Sequence, residues 1–308
     1  MSDYDKYVLH PKGISEVTSR NDVNMKSDFF GLYPIISSPM KGISGYKLVI
    51  EMGKNNCFGI LHRFEEDDVR KYNIYKVEKS GVNFGVAIGL RNFEEEIKIA
   101  EYAVERGASV ICCDIANGYI RTLERIGKEL KNRFGNEIHL MAGNVVSLEG
   151  ADFLYNSGFD MVRIGIGVGS QCITRDVTGV SKNQLDALLE CRESNALLVS
   201  DGGISKVGYA VKSFACGADF VMLGGILAYA NEAENEGSIY GMASKTNIVN
   251  TRKELKSIEG IESIIDNNKK VPLKEIIDNF IWGTRSACTY LNCKSYTELQ
   301  QQTVHLNS

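Results

Sequence analysis

Fifteen residues in the middle of the chain, Gly165–Gly179 (GIGVGSQCITRDVTG), set a thiol among glycines, hydroxyls and an arginine. Gly165, Gly167 and Gly169 open backbone conformations closed to other residues, so the carbonyls of such a loop can converge on a ligand or a cation. Three positions past the last of them stands Cys172, followed by Thr174 and Arg175. A thiol on a mobile loop beside an arginine can be held as thiolate, and the thiolate is the nucleophile. Taken singly, a cysteine is more often core than catalytic, but flanks of Ser, Gln, Ile, Thr and Arg are not those of a core position. Two further groups point to phosphate. Asp201-Gly202-Gly203 and Gly224-Gly225 each follow an apolar run, and glycine lets backbone N–H groups come close to an anion. Glycine after a strand is also the commonest way to turn a chain, so either pair alone reads as a turn. The two in adjacent units read as a phosphate cradle.

Residues so far apart in sequence need a scaffold that brings loop after loop to one place. Short β-rich apolar runs recur at Tyr33–Ser38, Cys57–Leu61, Asn83–Gly89, Ser109–Asp114, Glu137–Ala142, Asp160–Gly165, Leu197–Asp201 and Phe220–Gly224. Helical segments lie between them: Glu94–Arg106, Tyr119–Phe134, Leu148–Ser157, Lys182–Cys191 and Lys206–Gly217, with EEEIKIAEYAVER placing apolar residues at i, i+3, i+4 and i+7. Near-continuous apolar strands such as VICCD and FVMLGG suit a parallel sheet covered on both faces. Eight β/α units predict an α/β protein, a (β/α)8 TIM barrel forming a single domain over residues 1–308. A doubly wound open sheet is the runner-up, yet ISSPMKG after the first strand is no dinucleotide fingerprint. The polar segment Ala230–Val271 reads as an excursion on the barrel rim. Barrel enzymes carry their chemistry at the carboxyl ends of the strands, and these ends are loaded. Met40, the His62-Arg63 pair, Asp114 with Ile115 and Ala116, Ile166 with the cysteine loop, and the two glycine pairs all fall there.

Composition excludes several classes. A net charge of −4 lacks the basic excess of a nucleic-acid-binding surface. No apolar stretch approaches the roughly 18 residues needed to span a bilayer, and the first residues, MSDYDKYVLHPKG, form no signal peptide. Eight cysteines without a CxxC pair read as reduced thiols in a cytoplasmic protein, seven of them packing residues.

The segment GIGVGSQCITR closely resembles the cysteine loop of the IMP dehydrogenase and GMP reductase family, and other stretches agree with it in family order. They are DIANGY at Asp114–Tyr119, MAGNVV at Met141–Val146, SDGGI at Ser200–Ile204, VMLGG at Val221–Gly225, YGM at Tyr240–Met242 and RSACTY at Arg285–Tyr290. The likeness spans nearly the whole chain, without the CBS pair that many dehydrogenases insert. In that family the cysteine adds to C2 of a purine nucleotide to give a covalent thioimidate, and hydride is exchanged with a nicotinamide cofactor. DIANGY, MAGNVV and the CTY of RSACTY are closer to the reductase branch, which converts GMP to IMP and ammonia with NADPH. Glu259 follows Ala243 by sixteen positions, too few for the long flap whose Arg-Tyr dyad activates water in the dehydrogenase. Two alternatives stay open: IMP oxidation to XMP with NAD, and a nucleotide-binding protein without turnover.

By resemblance, Cys172 is the nucleophile, and Thr174 with Glu259 serves the departing amine. Glu262 and Glu254 are alternatives to Glu259, because LKSIEGIES only partly resembles the reductase's RASEGK. Met40, Asp201, Gly202, Gly203, Gly224, Gly225, Gly241, Met242 and Ala243 would hold the nucleotide. NADPH would lie against Ser19, Arg20, Arg63, Asp114, Ile115, Ala116, Ile166, Gly167 and the run Ser286, Ala287, Cys288 and Thr289. Some of these contacts come from a neighbouring subunit in the family, which implies a homotetramer. Gly167, Gly169 and Cys172, with Arg175 beside them, resemble the family's potassium site. Three departures stand out: Val168 where the family has proline, Lys41 where it has aspartate, and Arg63 where it has lysine.

Overall fold

A run of four or five apolar residues has no face to offer water, so it is stable only where neighbours cover it on both sides. The structure is a computed structural model that describes residues 3–90, 92–169, 171–235, 237–241 and 258–306. After a short edge strand β1 (Tyr7–Leu9), eight such runs pair in parallel: β2 (Ile35–Ser37), β3 (Gly59–Leu61), β4 (Phe84–Ile88), β5 (Val110–Asp114), β6 (His139–Val145), β7 (Met161–Ile164), β8 (Leu197–Asp201) and β9 (Phe220–Leu223). Their order is β2-β9-β8-β7-β6-β5-β4-β3. Ile36 bridges Phe58, just ahead of β3, so the two ends of the sheet meet. The fold is a (β/α)8 barrel, as the alternation predicts.

The helices are α1 (Tyr46–Lys54), α2 (Asp67–Glu78), α3 (Phe93–Val104), α4 (Arg121–Phe134), α5 (Leu148–Asn156), α6 (Thr174–Thr178), α7 (Gln184–Cys191), α8 (Val207–Ala215) and α9 (Leu273–Leu291). Side chains three and four apart share a helix face, and α4 buries Leu123, Ile126 and Leu130 in that register. Gly127 completes the stripe: a Cβ there would lie 2.2 Å from the Ser157 carbonyl at the end of α5. No helix among the described residues is long and apolar enough to cross a membrane.

Because strand side chains alternate, each barrel strand feeds two cores. Val110 and Cys112 point inward with Ile36, Phe58, Ile60, Met141, Met161, Val199, Phe220 and Met222. Ile111 and Cys113 face the helices. Phe29 and Phe30 plug the amino end of the barrel, Phe30 stacking on Phe58 with ring centroids 4.6 Å apart. Two residues beyond Cys112, Met161 and Val199, the next inward positions are Asp114, Arg163 and Asp201. The barrel's dry interior therefore ends in a layer of charge.

Three differences from the sequence expectation matter. The sixth strand runs past Ala142 to Val145, with a shift of register against β7 between Gly143 and Val145, so Asn144 lies in the strand and not in the loop after it. The helices α1 and α2 after the first two barrel strands are additional to those that the pattern predicts; α2 buries only Arg70, Ile74 and Val77, a stripe too thin to stand out. The start of the chain also pairs with its end, β1 lying antiparallel to β12 (Val304–Leu306). On the rim excursion, β10 (Ser238–Tyr240) and β11 (Glu262–Ile264) form an antiparallel stem.

Candidate active site

All eight cysteines are unpaired, and Cys172 is the one that is not buried. Burial pushes the other thiols up, Cys112, Cys191, Cys216 and Cys288 to about 12 and Cys293 to about 11. They are held protonated in the packing, as the sequence predicts of seven of them. Cys172 stands where the loop after β7 turns into α6. Its Sγ donates to Thr174 Oγ1 at 3.1 Å, and Thr174 Oγ1 donates to Glu259 Oε2 at 3.0 Å. Thiol, hydroxyl and carboxylate form one chain along which a proton can pass.

The backbone explains why residues 85 positions apart meet. Cys172 bridges Gly260 in antiparallel fashion. Ile173 N–H donates to the Glu259 carbonyl at 2.8 Å, Ile261 N–H to the Gln171 carbonyl at 3.1 Å, and Gly241 N–H to the Ile261 carbonyl at 3.0 Å. The foot of the rim excursion is thus stitched to the cysteine loop. Gly241 sits at the crossing: a Cβ there would be 2.4 Å from the Gln171 carbonyl and 2.8 Å from Gly260 Cα. Of the alternative carboxylates, Glu262 lies in β11, paired in register with Tyr240. Glu254 lies outside the described residues, as do the expected nucleotide contacts Met242 and Ala243.

The glycine pairs stand beside this chain. Gly202 and Gly203 have φ of +135° and +72°, which a side chain would strain. A Cβ on Gly202 would lie 2.6 Å from Val168 Cγ2, and one on Gly203 would lie 2.9 Å from the Val168 carbonyl. Val168, the residue in place of proline, therefore rests directly on the Asp201-Gly202-Gly203 turn. From behind, Tyr4 braces the same turn, its hydroxyl donating to the Gly202 carbonyl at 2.9 Å. Gly224 faces Met40, whose Sδ would be 3.1 Å from an added Cβ, and Gly225 begins a short 3-10 turn. Among the described residues, the amides of Gly203, Gly224 and Gly225 donate to no protein acceptor.

The sequence profile of the IMP dehydrogenase / GMP reductase domain matches residues 2–307. A GMP reductase of Buchnera aphidicola is 32% identical, with 97% of this chain and 92% of the relative aligned. GMP reductase 2 of Mus musculus is 30% identical over 99% of this chain and 93% of its own length, and GMP reductase 2 of Homo sapiens gives the same figures. The chain belongs to the IMP dehydrogenase / GMP reductase family.

Within this family member the charged layer at the barrel mouth is the feature that reading the sequence missed. Arg163 on β7 donates through Nη1 to Asp114 Oδ1 at 2.6 Å, and through Nε and Nη2 to Asp201 Oδ2 at 3.1 and 2.8 Å. Asn144 Nδ2 adds a bond to Asp201 Oδ2 at 2.8 Å. Arg63 Nε reaches the other oxygen of Asp114 at 3.3 Å. Burial alone would raise the Asp114 carboxyl, but the two guanidinium groups outweigh it and hold it below the usual carboxylate range. A signal existed in the sequence: Arg163 is a lone charge inside the apolar strand MVRI, and a buried charge must be paired.

Lys41 does not carry a bare reversed charge. Its Nζ lies 3.1 Å from Glu65 Oε1 and donates to the Phe64 carbonyl at 3.2 Å. The remaining expected cofactor contacts fall on two parts of the fold. Ile115 and Ile166 are half-buried and Ala116 is exposed at the barrel mouth near Asp114 and Gly167. Ser19 caps the 3-10 turn Arg20–Asp22, which packs on α9; α9 carries Ser286, Ala287, Thr289 and the buried Cys288. The Gly169 and Arg175 carbonyls already accept the amides of Cys172 and Gly179, each at 3.0 Å, and the Arg175 Nε donates to Ser181 Oγ at 2.7 Å.

Proposed function

We propose that this protein is a GMP reductase that removes the 2-amino group of GMP and replaces it by hydride, giving IMP and ammonia. The observation that carries this reading is the chain Cys172–Thr174–Glu259, a nucleophile joined through a hydroxyl to an acid–base group. The GMP reductases that align over nearly the full chain support the same substrate. The Gly202-Gly203 and Gly224-Gly225 turns suit the 5′-phosphate, the amides of Gly203, Gly224 and Gly225 donating to no acceptor among the described residues. Asp201 Oδ1 suits the ribose hydroxyls, since the bonds from Arg163 and Asn144 all fall on Oδ2.

The chemistry follows from what each side chain can hold. Cys172 gives up its proton towards Thr174 and Glu259, and its sulfur bonds to C2 of the purine. The C2–N bond to the exocyclic amine then breaks. Glu259, acting through Thr174, returns the proton, so that nitrogen leaves as neutral ammonia and not as an amide anion. The product of this half is a thioimidate on Cys172. NADPH, the dinucleotide that this reading requires, would supply the hydride that displaces sulfur from C2. The donor set suits it: Arg63 and Arg20 for phosphate, and Ser19, Ser286 and Thr289 for hydroxyls. By the family resemblance, in which a neighbouring subunit supplies some of these contacts, we assign the α9 group and the barrel-mouth group to different subunits meeting around one cofactor in a homotetramer. Reduced thiols throughout suit a cytoplasmic enzyme.

The deciding assay follows NADPH oxidation and ammonia release with GMP, alongside XMP formation from IMP and NAD. Matched NADPH oxidation and ammonia release are expected. Rapid XMP formation without ammonia from GMP would assign the chain to the dehydrogenase half of the family.

A further inference from the structure

Arg163 is almost completely buried, and its fork is divided between two carboxylates with different expected partners. Asp201 faces the nucleotide and Asp114 faces the cofactor. The two Arg163 bonds on Asp201 and the Asn144 bond converge on a single oxygen. That convergence leaves Oδ1 without a bond from Arg163 or Asn144. On the other side Asp114 is bonded at both oxygens, Oδ1 by Arg163 and Oδ2 by Arg63. A Cβ on Gly143 of the adjacent strand would lie 2.6 Å from Arg163 Cβ and 2.7 Å from its carbonyl.

We infer that Arg163 is a positioning residue that couples the two halves of the site, so that nucleotide and dinucleotide each tighten the binding of the other. This rests on the functional reading above. A ligand hydroxyl on Asp201 Oδ1 restrains the carboxylate, and through Arg163 it restrains Asp114 and Arg63. The second ligand then meets groups already ordered and gives up less conformational freedom. Coupling between sites is reciprocal and usually amounts to about 5- to 150-fold in affinity. A lysine at this position would keep the charge but could not fork between two carboxylates.

The test is calorimetric titration of the intact protein with GMP and with NADP+, a pair that has no hydride to transfer, each alone and each with the other saturating. In the wild type each ligand should tighten the other at least about fivefold. Arg163→Met should bring that factor to about one, and Arg163→Lys should fold and give a lower factor than arginine. A merely structural role would lower the melting temperature and leave the ratio unchanged. If removal of the arginine prevents folding, the lysine variant decides. Independent binding of the two ligands in the wild type, or full coupling in Arg163→Lys, would overturn the inference and leave the functional reading intact. A wild type that binds no GMP would overturn both.

Discussion

Glu259→Gln separates the two halves of the reaction. The carboxylate accepts the Thr174 hydroxyl at 3.0 Å, and glutamine keeps an oxygen in that place but cannot take or return a proton. Losing the charge from the hydrogen bond alone, from about 1.5–3 to 0.5–1.5 kcal/mol, is worth roughly tenfold. Losing the general acid is worth about 10²–10⁴-fold, so the second effect dominates. Ammonia release from GMP should fall by that larger factor. Hydride transfer can be read separately, as the burst of NADPH formed from IMP and NADP+ when Cys172 attacks C2. That burst needs Glu259 only to take the proton of Cys172, and should fall by less than ammonia release does. The loop is held by the Ile173 amide on the Glu259 carbonyl, a backbone bond that the substitution leaves in place. Cys172→Ser, which should bind nucleotide without turnover, supplies the blank for both measurements. Ammonia release at the wild-type rate would show that Glu259 is not the acid, and equal loss in both assays would leave it only the deprotonation of Cys172.

Gly241→Ala tests whether this glycine serves the stitching of the cysteine loop more than nucleotide contact. An added Cβ meets backbone at 2.4 and 2.8 Å, which cannot swing aside, so kcat should drop at least about tenfold with the GMP Kd changed much less; a change confined to Kd would reverse the assignment. His62 is buried, and desolvation, followed by Lys41 and Arg70, lowers its pKa to about 3, against about 6.5 in an unfolded chain. Between those values the unfolded chain takes up a proton that the folded chain refuses, so stability is full above about pH 6.5 and falls as the pH drops towards 3. His62→Asn keeps an acceptor for the Phe64 amide and removes the titration. Its melting temperature should therefore vary less steeply with pH between about 4 and 6. An unchanged slope would place the proton uptake elsewhere.

Local pattern determined a good deal on its own. The apolar runs from Ile35 to Leu223 were legible as strands because a strand covered on both faces is apolar at every position, and this shows in a window of five residues. The cysteine loop and the glycine pairs were legible because φ near +70° and close backbone approach leave glycine few substitutes. Even the family could be read from such stretches. What tertiary structure decided is which distant residues complete them. Nothing local to Glu259 distinguishes it from Glu262 or Glu254; the bridge from Cys172 to Gly260 sets it beside Thr174. Lys41 read alone is a reversed charge, and beside Glu65 it is an ion pair. Arg163, Asp114 and Asp201 come from three different strands, and only closure of the barrel points all three inward at one level. A sequence carries the period of each strand, but the level at which strands stand against one another is set by the register of the closed sheet, and that register is a property of the whole barrel.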